Sequence, residues 1–523
     1  MEPAASGRTW AVATPHELAT EAAAVAFERG GNAIDAAIAA AVTLAVVYPH
    51  MCGVGGDLFA LVQHPAGDVV AINASGRAPA GADPGAATAG GSMPEHGPYT
   101  VTVPGAVSGW ELLHRQGANL GWAEAFSQGI AFSYGGVSVP RSLARSLAHH
   151  AGRIGADPGI AGIFFPDGRP AGEHELVRQP ALGATLQAIA ELGPPALYGG
   201  AVGVRYASGL ADAGVPIDLA DLVGHTAELG SPLRTRYRDM DVLTHPPNSQ
   251  GFVLLEILAA VQRLGIDPDP LGADAPTLAR IARAATRDRD LHLAAADRMR
   301  LHPSSLLDDG HLAALGDEVR GEVGFEGLRS SVGPPSGDTI ALVTADIEGR
   351  AVSLIQSLFD GFGAGILEPS TGIVAQNRGA CFTLDPDHVN VLAPGARPAH
   401  TLMPVVVQRE GRLEATAGTM GGFAQPLINA MNLIRVFDLG MTPADAVAAP
   451  RWSVERDEPG VDPSAEVEAD VPGAVLEALQ TSGLRVDTLD AGDGIGHAHV
   501  IRAIERGFEA GSDPRADGGA MAS

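Results

Sequence analysis

From His16 to Arg29 the apolar residues recur with a helical period, and Gly30-Gly31-Asn32 breaks it. Ala33-Ile34-Asp35-Ala36-Ala37 then opens a second helix, whose stretch AAIAAAVTLAVVY from Ala36 to Tyr48 is an apolar run of 13 residues. A bilayer crossing needs roughly 18. The run therefore predicts a helix buried in a protein core, and Pro49 ends it. Met51 to Pro79 begins with a glycine cluster and predicts two short strands around Pro65-Ala66-Gly67-Asp68. From about Trp122 to Leu264 the period is mostly helical, punctuated at Gly193-Pro194-Pro195 and His245-Pro246-Pro247.

The character changes at Ser330 to Asp338, which has no apolar period and reads as an exposed loop. Beyond it, Thr339 to Ala345 and Ala351 to Ser357 flank Asp346-Ile347-Glu348-Gly349-Arg350 and predict a β-hairpin. Two further strands are expected at Met403 to Gln408 and Leu413 to Ala417, and a long helix from Gly422 to about Leu439. Strands and helices mix in both halves, without an internal repeat, so a layered α/β or α+β architecture is expected.

At 523 residues the chain is long enough for about three compact units or one large lobed unit. Its 34 basic residues are all Arg and face 61 acidic ones, a net charge of -27. Such a surface repels nucleic acid and anionic membranes. The absence of Lys removes P-loop, Schiff-base and pyridoxal phosphate chemistry. Cys52 and Cys381 are too few for a disulfide framework or a thiolate zinc site. Packing is the expected role of Cys52, and a pocket wall that of Cys381. The N-terminal residues lack a basic segment followed by an apolar one, so no secretory signal and a soluble, cytoplasmic protein are expected.

Familiar motifs mostly fail. Gly361-Phe362-Gly363-Ala364-Gly365 lacks dinucleotide-binding spacing and reads as a tight turn. His497 and His499 could share one face of a strand, but no third ligand is spaced nearby, so neither a metal nor a cofactor is expected. Ser133 lies in a degenerate G-x-S-x-G within a helical stretch, the wrong context for a nucleophile elbow. The junction Gly337-Asp338-Thr339 remains. A Thr hydroxyl needs a base beside it, and an N-terminal Thr carries one in its own α-amine, whose pKa of about 7.7–8.0 suits neutral pH. A cut before Thr339 would place hydroxyl and amine together at the start of a strand. Locally, the same three residues are also an ordinary loop exit.

Gly30 to Ala37, Gly53-Val54-Gly55-Gly56, Val103 to Gly109, Pro246-Pro247-Asn248-Ser249-Gln250-Gly251, the junction, Met420-Gly421-Gly422 and Ser512 to Gly518 occur in this order. Together they resemble the γ-glutamyltranspeptidase family of N-terminal nucleophile hydrolases. The resemblance implies an αββα four-layer sandwich (α+β), made as a precursor that cleaves itself into a large subunit, residues 1–338, and a small catalytic subunit, 339–523. Thr339 would attack a substrate amide and form an acyl-enzyme, which water or an acceptor amine resolves. The implied substrate is a γ-glutamyl compound such as glutathione or a related anionic amide. An uncut protein that only binds an anionic metabolite is the competing reading. No cofactor is implied, and the oligomeric state is left open, a homo-oligomer included.

By position, the resemblance gives Ser357 the place of a Thr that hydrogen-bonds the nucleophile, and Gly421-Gly422 that of the glycine pair whose N–H groups form the oxyanion hole. Thr401 retains one hydroxyl of a Ser-Ser pair and His400 replaces the other. Phe359 and Cys381 stand where transpeptidases hold the substrate ammonium with Asn and an acid. Ser75 falls at the carboxylate-binding Arg, which leaves neighbouring Arg77 as a candidate. Arg378 replaces a Gln or Glu and brings a fixed charge suited to a carboxylate. Loss of the ammonium partners and gain of a guanidinium resemble the oxamate amidohydrolase and cephalosporin or glutaryl acylase branch.

Overall fold

A computed structural model describes residues 1–87, 92–321, 338–454, 463–490 and 494–523. The apolar run forms the helix Ala33–Val47, buried at every residue. Asn32 starts it, accepting hydrogen bonds from the N–H groups of Ile34 and Asp35 while the Asp35 carboxylate accepts from the Asn32 N–H. The Ala33 N–H donates to Asp346 and the Ala33 carbonyl accepts from Thr344, which fastens the helix to the strand that follows the junction. Among the described residues no helix is long and apolar enough to cross a membrane.

That strand, Asp338–Asp346, is the third of seven in an antiparallel sheet. On one side lie Trp10–Thr14 and then Gly519–Ala522. On the other lie Ala351–Phe359, Asp57–Gln63, Val69–Ala74 and Glu228–Gly230. A second antiparallel sheet runs Ala4–Gly7, Gly507–Ser512, His497–Ile504, Arg412–Met420, Val405–Arg409, Met240–Thr244, Leu233–Tyr237. The sheets meet face to face where Gly418 leaves room: a Cβ there would lie 2.8 Å from Ile355 Cδ1 and 3.1 Å from Ala341 Cβ. Glu17–Glu28, Ala33–Val47 and Ala106–His114 pack on the junction sheet, and Gly251–Leu264 and Gln425–Phe437 on the other. The fold is mixed α/β, with two seven-stranded sheets, three small ones and flanking helices.

Both expected hairpins are present: the strands around Pro65-Ala66-Gly67-Asp68 are Asp57–Gln63 and Val69–Ala74, and those after the junction each run two residues longer than expected. The expected helix from Gly422 is a 3₁₀ turn, Gly422–Ala424, followed by the helix Gln425–Phe437. Trp122 to Leu264 is mostly helical, as expected, but five short strands interrupt it: Val137–Ser138, Leu176–Val177, Glu228–Gly230, Leu233–Tyr237 and Met240–Thr244. They are too short to dominate a helical window, and sheet pairing decides them instead. Ser330 to Gly337 lie outside the described residues.

The core holds neutral histidines. Burial lowers His16, His245 and His497 to about 4, and His50 and His499 to about 3. Groups depressed in this way stabilise the fold above their unfolded value of about 6.5 and lose that stabilisation as pH falls toward 4 and 3. Burial has the opposite effect on the acids Asp57, raised to about 6, and Glu256, raised to about 8, which favour the fold at low pH and lose that contribution as pH rises. Asp338 is raised as well, by burial and by Asp360. His150 and His225, both lowered to about 4, and His400 act in the same direction, so between pH 6.5 and 4.5 the imidazoles outweigh the raised carboxyls. The melting temperature is expected to peak near pH 6.5 and fall steeply toward 4.5; a scanning calorimetry series that stays flat would contradict this.

Candidate active site

Thr339 is fully buried and sits at an irregularity of its hairpin: Asp338 pairs with Phe359, and the regular register resumes only at Ile340 opposite Gln356. Such a bulge re-aims a side chain. Thr339 Oγ1 donates to Ser357 Oγ at 3.1 Å, and that hydroxyl donates in turn to the Asp338 carbonyl oxygen at 2.7 Å. The Phe359 N–H fills the second lone pair of Ser357 Oγ at 2.7 Å. One hydroxyl thus bridges the nucleophile candidate and the carbonyl of the bond that precedes it. Gly56 permits this approach, since a Cβ there would lie 2.3 Å from the Ser357 carbonyl oxygen.

Arg378 is on the 3₁₀ turn Arg378–Cys381 and has no exposed surface. Its Nη1 donates to Thr401 Oγ1 at 3.0 Å and approaches Cys381 Sγ at 3.6 Å, while Nη2 is 3.5 Å from Ser357 Oγ. Its guanidinium carbon stands 4.2 Å from the centroid of the Phe359 ring. Phe359 accepts a left-handed backbone, φ 84°, which costs on the order of 1–3 kcal/mol in a bulky residue. No carboxylate lies within ion-pair distance of Arg378 among the described residues, and its Nε has no hydrogen-bond partner. Burial lowers its pKa, partly offset by Cys381 and Asp57.

Asp57 faces His400, whose Nε2 is 3.0 Å from Asp57 Oδ2. The other ring nitrogen accepts from the Leu402 N–H, so Nε2 carries the proton and donates to Asp57. Burial and nearby Arg378 hold His400 well below its usual range, so the ring is neutral. Asp57 also accepts from Gln376 Nε2 and the Gly76 N–H. His400 therefore spends its polar atoms on the frame, and its neighbour Thr401 is the one that reaches Arg378.

Gly421 and Gly422 lie at the end of the strand Arg412–Met420 with φ of 147° and 52°, conformations that favour glycine. Among the described residues no group accepts a hydrogen bond from either N–H. Gln250 holds this turn in place, its Nε2 donating to the carbonyls of Thr401 and Gly422 at 2.9 and 3.0 Å. Arg77 lies apart: its exposed guanidinium donates to the Gly395 carbonyl and is 3.8 Å from Glu228. Ser75 is buried among Asn73 and Asn248. A cavity of about 720 Å³ opens on the Asp338 side, lined by Tyr48, Arg141, His150, Asp338, Met420 and Arg515 among others.

The hairpin and two loops thus bring Thr339, Ser357, Arg378 and Thr401 into one cluster, with His400 one residue behind it and Arg77 outside. Asp57 and Gln250 are further residues of the site; their signal in the sequence is position, Asp57 directly after Gly53-Val54-Gly55-Gly56 and Gln250 within Pro246–Gly251. Gly361–Gly365 forms a turn, and Ser133 lies inside the helix Ser127–Gly135, donating to the Gly129 carbonyl. His497 and His499 are buried with ring centroids 5.8 Å apart, and no third ligand joins them among the described residues. Cys52 is buried in the core, and Cys381 packs beside Phe359 and Ala380.

The family model described as gamma-glutamyltranspeptidase matches residues 19–523. The chain is 35% identical over 518 residues to the oxamate amidohydrolase proenzyme of Klebsiella pneumoniae, covering 97% of each. It is 32% identical over 527 residues to the glutathione hydrolase-like YwrD proenzyme of Bacillus subtilis, covering both completely. The crystal structure of cephalosporin acylase from Bacillus halodurans superposes with a TM-score of 0.91 at 31% identity, over 100% of this chain and 97% of that one.

Proposed function

Since the chain belongs to the gamma-glutamyltranspeptidase family and is an amide-cleaving enzyme of the N-terminal nucleophile type, we propose that Thr339 is its nucleophile and that its substrate is the amide of an anionic acyl group lacking a free α-amine. The observation that carries this reading is Arg378, a buried guanidinium beside Ser357 and Thr401 with no carboxylate partner among the described residues. A buried cation without a counter-ion is costly, and an incoming carboxylate would offset that cost while forming two parallel hydrogen bonds. An ammonium would meet Phe359 and Cys381 there, neither of which offers it an anionic partner. Relatives named for oxamate and for cephalosporin acylation favour the same chemistry, although one is named for glutathione.

In the uncut chain Thr339 Oγ1 attacks the Asp338 carbonyl carbon. The carbonyl oxygen takes up charge against the Ser357 hydroxyl, the C–N bond breaks, and the Thr339 nitrogen leaves protonated as an amine. Water hydrolyses the resulting ester, giving residues 1–338 and 339–523. Each product keeps strands in both sheets, so the two remain one body, and the helix–sheet–sheet–helix order supports an αββα sandwich. In turnover the α-amine takes the Thr339 hydroxyl proton, the acyl ester forms, and the leaving amine is protonated. Gly421 and Gly422 supply the free N–H groups for the tetrahedral oxyanion, and each such donor is worth about 10²–10³ in rate.

A panel of amides tests the reading. Oxamate and glutaryl amides are expected to be cleaved with kcat/KM at least about tenfold above γ-glutamyl-p-nitroanilide, since one charge-assisted hydrogen bond is worth about 1.5–3 kcal/mol. Preference for the γ-glutamyl amide would overturn the substrate class and leave the family reaction intact.

A further inference from the structure

Away from this site, three helices each turn one ligand-bearing side chain toward a common point. Glu256 comes from Gly251–Leu264, Asp288 from Ala275–His292 and His311 from Asp309–Arg320. One oxygen of each acid and one ring nitrogen lie within 4.8 Å of one another. His311 Nε2 is 3.3 Å from Glu256 Oε1 and 2.9 Å from Asp288 Oδ2. Those separations are close to the roughly 3 Å between neighbouring donors on one ion with bonds of about 2.0–2.2 Å.

These approaches are charge contacts and not well-aligned hydrogen bonds. Both Glu256 oxygens, Asp288 Oδ2 and His311 Nε2 are buried and have no hydrogen-bond partner. Glu256 has no exposed surface at all, so its carboxyl must hold either a proton or a cation, and burial raises it to about 8. Arg287 does not supply that cation: its guanidinium is bidentate on Glu318 and comes no nearer than 3.9 Å to the other Asp288 oxygen. His311 is 27% exposed, but its Nε2 at the centre is buried.

We propose that Glu256, Asp288 and His311 form a site for one divalent first-row transition ion of the Mn²⁺, Co²⁺ or Zn²⁺ type. Two carboxylates and an imidazole suit such ions; the imidazole disfavours Mg²⁺ and Ca²⁺, and the absence of thiolate disfavours Cu⁺. The ion would neutralise two acids that otherwise face each other in the core and would tie three helices at one point. The first of these helices begins after Gln250, whose amide holds the Thr401 and Gly422 carbonyls. The expected contribution is to rigidity behind the oxyanion turn, with no part in bond cleavage.

The test uses untagged, full-length protein stripped with a chelator and titrated with Co²⁺, then Zn²⁺, with Mg²⁺ as control. One ion per chain by elemental analysis is expected, with a Co²⁺ visible band and a melting temperature raised by at least about 5 °C. Both effects should be weakened at least about 100-fold in affinity by His311→Ala and by Glu256→Gln; should Glu256→Gln fail to fold, the half-buried His311→Ala carries the comparison. Substoichiometric uptake by the wild type, or equal uptake by wild type and His311→Ala, overturns the proposal. So does a Glu256→Gln protein that melts higher than a wild type which binds no ion, the result expected if a protonated His311 simply bridges the two acids.

Discussion

Thr339→Ala is expected to give a single 53.3 kDa polypeptide with amide hydrolysis reduced by at least about 10⁴-fold. In the proposed reaction two functions end together, because one hydroxyl serves both, first on the Asp338 carbonyl and then on substrate. No neighbouring group can take over. Ser357 Oγ already donates to the Asp338 carbonyl and accepts from the Phe359 N–H, so it is oriented to polarise and not to attack. Thr339→Ser keeps the hydroxyl and should still be cut, more slowly. Intact mass spectrometry decides the matter. Masses of 1–338 and 339–523 from the alanine variant would show that another residue, or another protease, makes the cut, and the proposed nucleophile would fall.

Arg378→Gln should separate recognition from chemistry. The loss of kcat/KM on anionic acyl amides is expected at about 10²–10³-fold, the effect of removing one buried charged partner from a carboxylate. Neutral acyl amides should change by less than about tenfold, and self-cleavage should persist, because the guanidinium only grazes Ser357 at 3.5 Å. Thermal stability should hold or rise, since an uncompensated buried charge has been removed. Kinetics on paired anionic and neutral substrates test this directly. Equal losses on both would mean that Arg378 shapes the loop through Thr401 and Phe359 and does not select the acyl group.

Much of the centre was legible from local pattern. The expected hairpin about Glu348 sets Thr339 and Ser357 equidistant from its turn, which agrees with the partnership that the resemblance implies, although the register shifts at Thr339. The buried helix was legible for a similar reason: a segment apolar on all sides has nowhere else to go. Other parts were not readable. Asp57 and His400 meet across 343 residues of chain, and no local spacing encodes that contact. The strands Leu233–Tyr237 and Met240–Thr244 are short, and their identity comes from Val405–Arg409 alongside. Arg77 shows the limit of counting along a motif: its position next to Ala78-Pro79 made it a candidate, but its side chain is drawn to Glu228 and the Gly395 carbonyl. The convergence of Glu256, Asp288 and His311 depends on how three helices pack, which their separate sequences do not state.

In the junction sheet Asp338–Asp346 lies between Trp10–Thr14 and Ala351–Phe359, and Ala351–Phe359 pairs onward with Asp57–Gln63. Segments from before and after the junction are therefore interleaved in the sheet. A chain folded while continuous and then cut there cannot readily repeat the process after denaturation. Its two pieces would have to find each other in solution, each lacking neighbours for its own edge strands and each prone to pair with copies of itself. The durability of the cut protein is thus a matter of how slowly it unfolds and not of an equilibrium. Renaturation yield should be high for the Thr339→Ala chain, low for the cleaved pair, and dependent on protein concentration only in the second case.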